Sequence, residues 1–460
     1  MVEKIQRKLS DSTAARWTAL VIVAFTMMMG YFLTDVMSPL QDMLETPIGQ
    51  GGFGLGWTSS EYGFFAGSYG LINVFLLMLF FGGIILDKMG IRFTGVLACS
   101  LMVIGAFIKF YAVRFLDPHI IFPIFGIQYK LQVWIASLGF AIFGTGCEIC
   151  GITVSKIIAK WFTGHGMALA MGIQVAMARL GTAAALGISP IIAHHYKSIA
   201  SPILFGAVCL VIGLLAFIVY CVMDKKLDDS TKQIATNNSE AEDEGFHFAD
   251  LKAIFSNPGF WLITLLCLLF YSGVFPFLKF ATKLMIAKYN VDPNFAGAIP
   301  SILPFGTIFL TPVFGTVYDR IGKGATLMMI GSLLMTVVHV CFALPILNTG
   351  VFAVVLMVCL GIAFSLVPSA MWPSVPKIIP MKLLGSAYAI IFYIQNIGLT
   401  LVPMFIGNVL EHDTVNGNMD FTRTMWIFAS FGVIAVLLAA MLKLLDGKKH
   451  YGLEQANIKK

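Results

Sequence analysis

The sequence predicts an all-α membrane protein of twelve transmembrane helices arranged as two pseudo-symmetric six-helix bundles. Three observations carry this. Hydrophobic residues make up 58% of the 460 residues and charged residues only 12%. The apolar residues gather in runs of about twenty, the length that crosses a bilayer core. The runs also divide six and six around one polar stretch. Because lipid gives a backbone no hydrogen-bond partner, each run must be helical.

In chain order, Gly, Pro and charge punctuate spans at 17–40, 59–86, 93–115, 131–158, 167–192 and 201–223, then 259–286, 295–318, 325–346, 350–374, 384–409 and 423–445. A basic leader with Lys4, Arg7, Lys8 and Arg16 precedes the first run, which is too long for a signal-peptide core and reads as an uncleaved span. The first bundle occupies 1–223 and the second 259–460, with a short tail. Between them, 224–258 reads as a linker: it holds the polar stretch Thr231 to Ser239 and the acidic run Glu240 to Glu244.

Charge sets the expected orientation. Arg179 lies within a span, and the other 29 of the 30 Lys and Arg residues divide 21 to 8 in favour of the loops sharing a side with the termini. Both termini are therefore expected in the cytoplasm. The net charge of +6 reflects this topology and no nucleic-acid partner. The sequon at Asn237 falls in the inward linker and the outward loops are short, which suits a bacterial-type plasma membrane. All eight cysteines lie inside apolar spans and read as small buried residues, and the pair around Glu148, Cys147 and Cys150, has no further ligand cluster, so neither a metal nor a cofactor is expected. A monomer is expected.

An internal repeat follows the second and eighth spans. Gly83, Asp87, Lys88, Gly90 and Arg92 recur at matching spacing as Gly315, Asp319, Arg320, Gly322 and Lys323. The first Gly is expected to let its helix approach a neighbour closely, and the cations to pair across the two halves, a latch favouring an outward-open state. The doubled pattern resembles the loop signature of the major facilitator superfamily.

Two charges lie deep inside the apolar runs. Glu148 stands twelve residues before Lys160, and Arg179 twelve after Met167. At 1.5 Å per residue each is about 18 Å from the cytoplasmic end, near the midplane. An unpaired charge there costs roughly 2.5 to 3.5 kcal/mol or more, so both should face the interior and meet each other or a ligand. A guanidinium holds a carboxylate in two parallel bonds and a carboxylate receives an ammonium, so opposite charges at one depth suit a zwitterion. The bland alternative is a buried pair that locks the hairpin of spans 4 and 5. Tyr271, Gln174, Gln395 and Asn396 lie at middle depth and could line a cavity or bridge helices. Asp35 and Lys279 fall toward the outer ends of spans 1 and 7 and read as a gate pair. His339, His194 and His195 read as packed or exposed.

Longer strings carry a narrower resemblance. Tyr31 to Asp35, Gly146-Cys-Glu148, Gly172 to Gly181, Ser365 to Val375, Leu384 to Tyr388 and Ile394 to Leu399 resemble the lysosomal dipeptide transporter family within that superfamily. The resemblance implies facilitated dipeptide transport, with Glu148 and Arg179 at the family's charged cavity positions. Pro376 and Lys377 depart from it, and no lysosomal sorting signal is evident. An organic-anion or monocarboxylate carrier using Arg179 alone is the alternative within transport, and a non-transporting sensor or scaffold the alternative outside it. No nucleophile and base constellation supports an enzyme.

Overall fold

The computed structural model describes residues 12–162, 166–232, 248–380, 383–415 and 418–456. The basic leader and the acidic run Glu240 to Glu244 lie outside the described residues. Among the described residues eleven helices are long and apolar enough to cross a membrane. The twelfth crossing, the second in sequence, is assembled from pieces.

Local chemistry sets where the helices begin. Ser12 caps the first span, Thr13–Asp35, and Thr58 with Glu61 forms a reciprocal capping box at the start of the second. Asn257 caps the seventh, Pro258–Tyr289, whose first helical residue is a proline that has no N–H to leave unsatisfied. Prolines sit inside membrane helices at 190, 276, 304, 312, 368, 373, 376 and 403. Each removes a helix hydrogen bond, which is tolerated where neighbouring helices enclose the backbone.

The second span departs from the continuous helix expected over 59–86. It runs Ser59–Ser68, then Leu71–Phe75, then a helix that starts at Met78. Leu77 at the second break has φ 53°. The reason lies in packing against span 11 (Leu384–His412). A Cβ at Gly63 would stand 2.6 Å from the Pro403 carbonyl, and one at Gly407 2.7 Å from the Gly63 Cα. Helix axes can approach that closely only where both faces lack side chains. Span 2 leaves its straight path beyond this contact.

Spans 2 and 3 are joined at Gly90, whose φ of 76° and ψ of 171° end one helix and begin the next. Spans 4, 5 and 6 follow as Leu131–Phe162, Met167–Tyr196 and Ala200–Lys232. The sixth helix thus continues past the apolar run that ends at residue 223. In the second half the helices are Pro258–Tyr289, Ala298–Ile321, Gly324–Ala343, Gly350–Ile378, Leu384–His412 and Thr422–Lys449. Twelve crossings return the chain to its starting side, here called the terminal face; the opposite side is the distal face.

The two halves are bound together on the distal side. Lys283 bridges to Asp42 at 2.5 Å and Glu45 at 3.4 Å. Ser60 donates its hydroxyl to Asn408 Oδ1 and its backbone N–H to Glu411. Spans 5 and 8 close beside them, where a Cβ at Gly297 would stand 2.0 Å from the Leu186 carbonyl. Among the described residues, the hydrogen bonds and ion pairs between the halves lie on this side or at middle depth, where Tyr393 donates to the Val74 carbonyl. The structure is closed distally and open toward the terminal face.

Candidate functional site

Span 4 carries Glu148 at middle depth, and the break in span 2 supplies its partner. Tyr69 follows the first helical piece of span 2, and its hydroxyl donates to Glu148 Oε1 at 2.9 Å. Gly144, one turn before Glu148, makes this possible: a Cβ there would stand 2.1 Å from the Tyr69 carbonyl. Backbone contact between the two spans sets the depth at which the phenol meets the carboxylate.

Arg179 reaches the interior from span 5. Its guanidinium lies 5.4 Å from the Phe275 ring centre and 5.2 Å from that of Phe364, both in the opposite half. Aromatic faces stabilise a cation while leaving its in-plane N–H fork free for an acceptor. Among the described residues no ion pair joins Arg179 to Glu148. Both remain half-buried, and Tyr31 of span 1 lies within electrostatic reach of each. The reading in which the two merely lock a hairpin does not describe this arrangement.

Beside Arg179 a cavity of about 450 Å³ runs between spans 5, 7, 8 and 10, and its wall includes Met171, Val175, Tyr271, Ile308, Phe364 and Trp372. These positions extend from middle depth toward the terminal face. Trp372 Nε1 donates to the Tyr271 hydroxyl at 3.0 Å. Among the described residues Arg179 is the only charged one of the lining.

The other polar positions of middle depth separate. Gln174 is buried on span 5 but outside that lining. Gln395 accepts from the Cys267 thiol at 3.5 Å, and Asn396 spends its amide on the Phe392 carbonyl of its own helix at 2.9 Å. Asp35 and Lys279 meet at 2.6 Å, and Lys279 also donates to the Thr34 carbonyl at 2.9 Å. His339 is fully buried, with Nε2 against the Gly273 carbonyl.

The loop repeat is organised differently from expectation. Among the described residues a Cβ at Gly83 or Gly315 would meet nothing within 4 Å, so neither glycine serves a close helix approach there. Among the described residues Arg92 makes no pair across the halves. It binds Asp224 at 3.0 Å and Asp228 at 2.7 Å on the extension of span 6, and Lys160 joins both carboxylates. In the second half the equivalent loop is held by the C-terminal segment: Lys323 N–H donates to the Glu454 carbonyl, and Gly322, with φ 73°, packs on Gln455. Arg320 is exposed. The side chain of Asp87 lies outside the described residues, and Asp319 is half-buried.

Sequence reasoning missed Tyr69, Phe275, Phe364 and Trp372, because aromatic residues in apolar spans give no signal of their own. Lys283 was legible in principle: it follows Lys279 by one helical turn, so both cations share a face that Asp35, Asp42 and Glu45 can meet.

A twelve-span fold with two matched loops and a central cavity closed at one face defines a membrane transporter. Residues 20–403 match the Major Facilitator Superfamily, and the chain belongs to it. Among curated proteins it is similar to the lysosomal dipeptide transporter MFSD1 of Danio rerio, at 26% identity over 402 residues, 82% of this chain and 77% of that protein. It is similar also to MFSD1 of Homo sapiens, at 25% identity over 346 residues, 73% and 69% of the two chains. Among solved structures, the nucleoside transporter NupG superposes with TM-score 0.68 at 18% identity, covering 93% of this chain and 98% of that one. A POT family transporter in complex with a thioalcohol-conjugated peptide gives 0.66 at 15%, covering 94% and 96%. At these identities the solved structures establish the fold alone.

Proposed function

We propose that this protein carries dipeptides or similar small zwitterions by alternating access. Arg179 receives the C-terminal carboxylate and Glu148 the N-terminal ammonium. The observation that carries this reading is that two opposite charges face the interior without pairing, each supported by aromatic groups that leave its ligand-binding atoms available. An intramembrane charge without a protein counter-ion is costly unless a substrate completes it. The MFSD1 relatives, named as dipeptide transporters, support the same reading. The bundles lie at 1–223 and 259–460, joined by 224–258. With both termini cytoplasmic, in a plasma membrane, the present conformation is inward-open, the Asp35 and Lys279 pair closes the outer gate, and the loop latch is released. The protein works as a monomer and needs no cofactor.

Arg179, the sole charge of its cavity among the described residues, also favours a second reading, a carrier of organic anions. Liposomes containing the purified protein distinguish the two. Dipeptide flux should be lost in Arg179→Ala and in Glu148→Gln, and N-acetylated dipeptides should not be carried. Transport of N-acetylated dipeptides that survives Glu148→Gln would establish the anion reading. Unchanged dipeptide affinity in both variants would remove these residues from the site.

A further inference from the structure

Lys109 lies in span 3, six residues before the distal end of its helix at Phe115, a position from which a lysine can ordinarily reach solvent. It is instead completely enclosed. Its ammonium donates to the Leu33 carbonyl at 2.8 Å and stands 4.7 Å from the Phe140 ring centre and 5.4 Å from that of Phe143. Lys279, from the other half, donates to the next carbonyl, Thr34, and to the Asp35 carboxylate; it stands 5.9 Å from the same Phe140 ring. Two lysines from opposite halves therefore converge on one helix C-terminus and one aromatic face, with the Asp35 carboxylate bound to Lys279 and within electrostatic reach of Lys109.

A helix C-terminus exposes carbonyls that attract cations. A buried ammonium and a half-buried one near a single carboxylate nevertheless repel, and Lys109 is within electrostatic reach of both Lys279 and Asp35. Lys109 belongs to the same half as Asp35. When the halves rock to open the distal face, Lys279 leaves with its own half and Lys109 stays. Its flexible four-carbon stem can then turn from Leu33 to the carboxylate two residues on.

We propose that Lys109 and Lys279 exchange Asp35 during the transport cycle: Lys279 holds the carboxylate when the distal face is closed, and Lys109 takes it when that face opens. Asp35 then keeps a counter-ion in both states, and the opening step does not strand a charge. Lys109 is a positioning residue for the distal-open state. The exchange holds for any solute and is independent of the dipeptide reading.

Removing Lys109 relieves the repulsion in the closed state and withdraws the partner in the open one, so both effects favour closure. A lysine that only anchored span 1 would act oppositely, because its loss would loosen the distal end. Hydrogen exchange of the full-length protein in nanodiscs, without substrate, reads the difference in the distal segments 36–57 and 290–297. In Lys109→Met exchange should slow by about threefold or more. On an Asp35→Asn background the slowing should shrink, because only the relief of the repulsion with Lys279 remains. Faster or unchanged exchange in Lys109→Met, or slowing that is undiminished with Asp35→Asn, overturns the proposal. A structure of Lys279→Met gives a second test independent of the stability of Lys109→Met. Lys109 should be found on the Asp35 carboxylate, and its continued place on the Leu33 carbonyl would overturn the exchange.

Discussion

Glu148 takes its one described hydrogen bond from Tyr69, at 2.9 Å, and that phenol stands where span 2 stops being a helix. The break is thus part of the site. There the Tyr69 backbone packs against Gly144, where a Cβ would stand 2.1 Å from the Tyr69 carbonyl. One carboxylate oxygen receives the phenol, and in the proposed site the other accepts the ammonium.

Tyr69→Phe tests this arrangement with little change in volume. The substitution deletes one hydrogen bond to a charged group, an interaction of about 1.5 to 3 kcal/mol. Dipeptide affinity should fall by roughly tenfold or more, with the melting temperature nearly unchanged because the ring packing against Phe140 and Phe143 survives. Calorimetric titration checks it. Equal affinity in the variant would mean that the phenol does not orient Glu148 toward the ligand.

Arg179→Lys preserves charge and removes geometry. The guanidinium stacks on Phe275 and Phe364 while presenting a planar fork, whereas an ammonium is a strongly hydrated point charge. Affinity for dipeptides should fall at least about tenfold through loss of the two-pronged carboxylate contact. Titration with dipeptides and with their C-terminal amides measures it: the amides should bind both proteins with similar weakness. A lysine variant with wild-type affinity would show that charge alone suffices.

The membrane spans and both deep charges were legible in the sequence because each departs sharply from a simple physical expectation. Twenty-residue apolar runs have few uses outside a bilayer, and a charge within one demands a reason. The break of span 2 was not legible, since Phe75, Leu76 and Leu77 continue the apolar run through it. What bends the chain there is the glycine contact with span 11, which lies in the other half of the sequence. Lys109 reads as an end-of-span cation by position, and only the rings of span 4 reveal its enclosure. The partner of Arg92 was equally hidden: Asp224 falls where composition changes from span to linker, and only the continued helix aims it back at the loop.

Asp224 is the buried centre of that cluster. It accepts from Arg92, from Lys160 at 2.8 Å, and from Trp161 Nε1 and the Tyr220 hydroxyl, each at 3.2 Å. Asp224→Asn would leave two cations facing Asp228 alone. Breaking a fully enclosed pair costs about 3 to 5 kcal/mol, but Arg92 keeps 42% of its side chain exposed, so about 2 kcal/mol is the expected loss. The melting temperature should fall by several degrees, and less in high salt. Thermal unfolding across a salt series measures both. An unshifted transition would mean that the cluster contributes only topology.

Gly407 tests the distal closure itself. A Cβ there meets the Ser59 carbonyl at 2.5 Å and the Gly63 Cα at 2.7 Å, and both are backbone atoms that no rotamer change can move aside. Gly407→Leu therefore wedges span 11 away from span 2 in the closed state. The open state, with the two helices apart, has room for the new side chain. Overpacking of this kind costs about 1 to 3 kcal/mol. If that cost falls on the closed state alone, the equilibrium moves toward distal opening by roughly 5- to 150-fold. Hydrogen exchange in the helix Ser59–Ser68 should accelerate accordingly, and exchange in the terminal segment 450–456, which is tied within the second half, should not. Acceleration in both segments would indicate general loosening instead of a shift between two states.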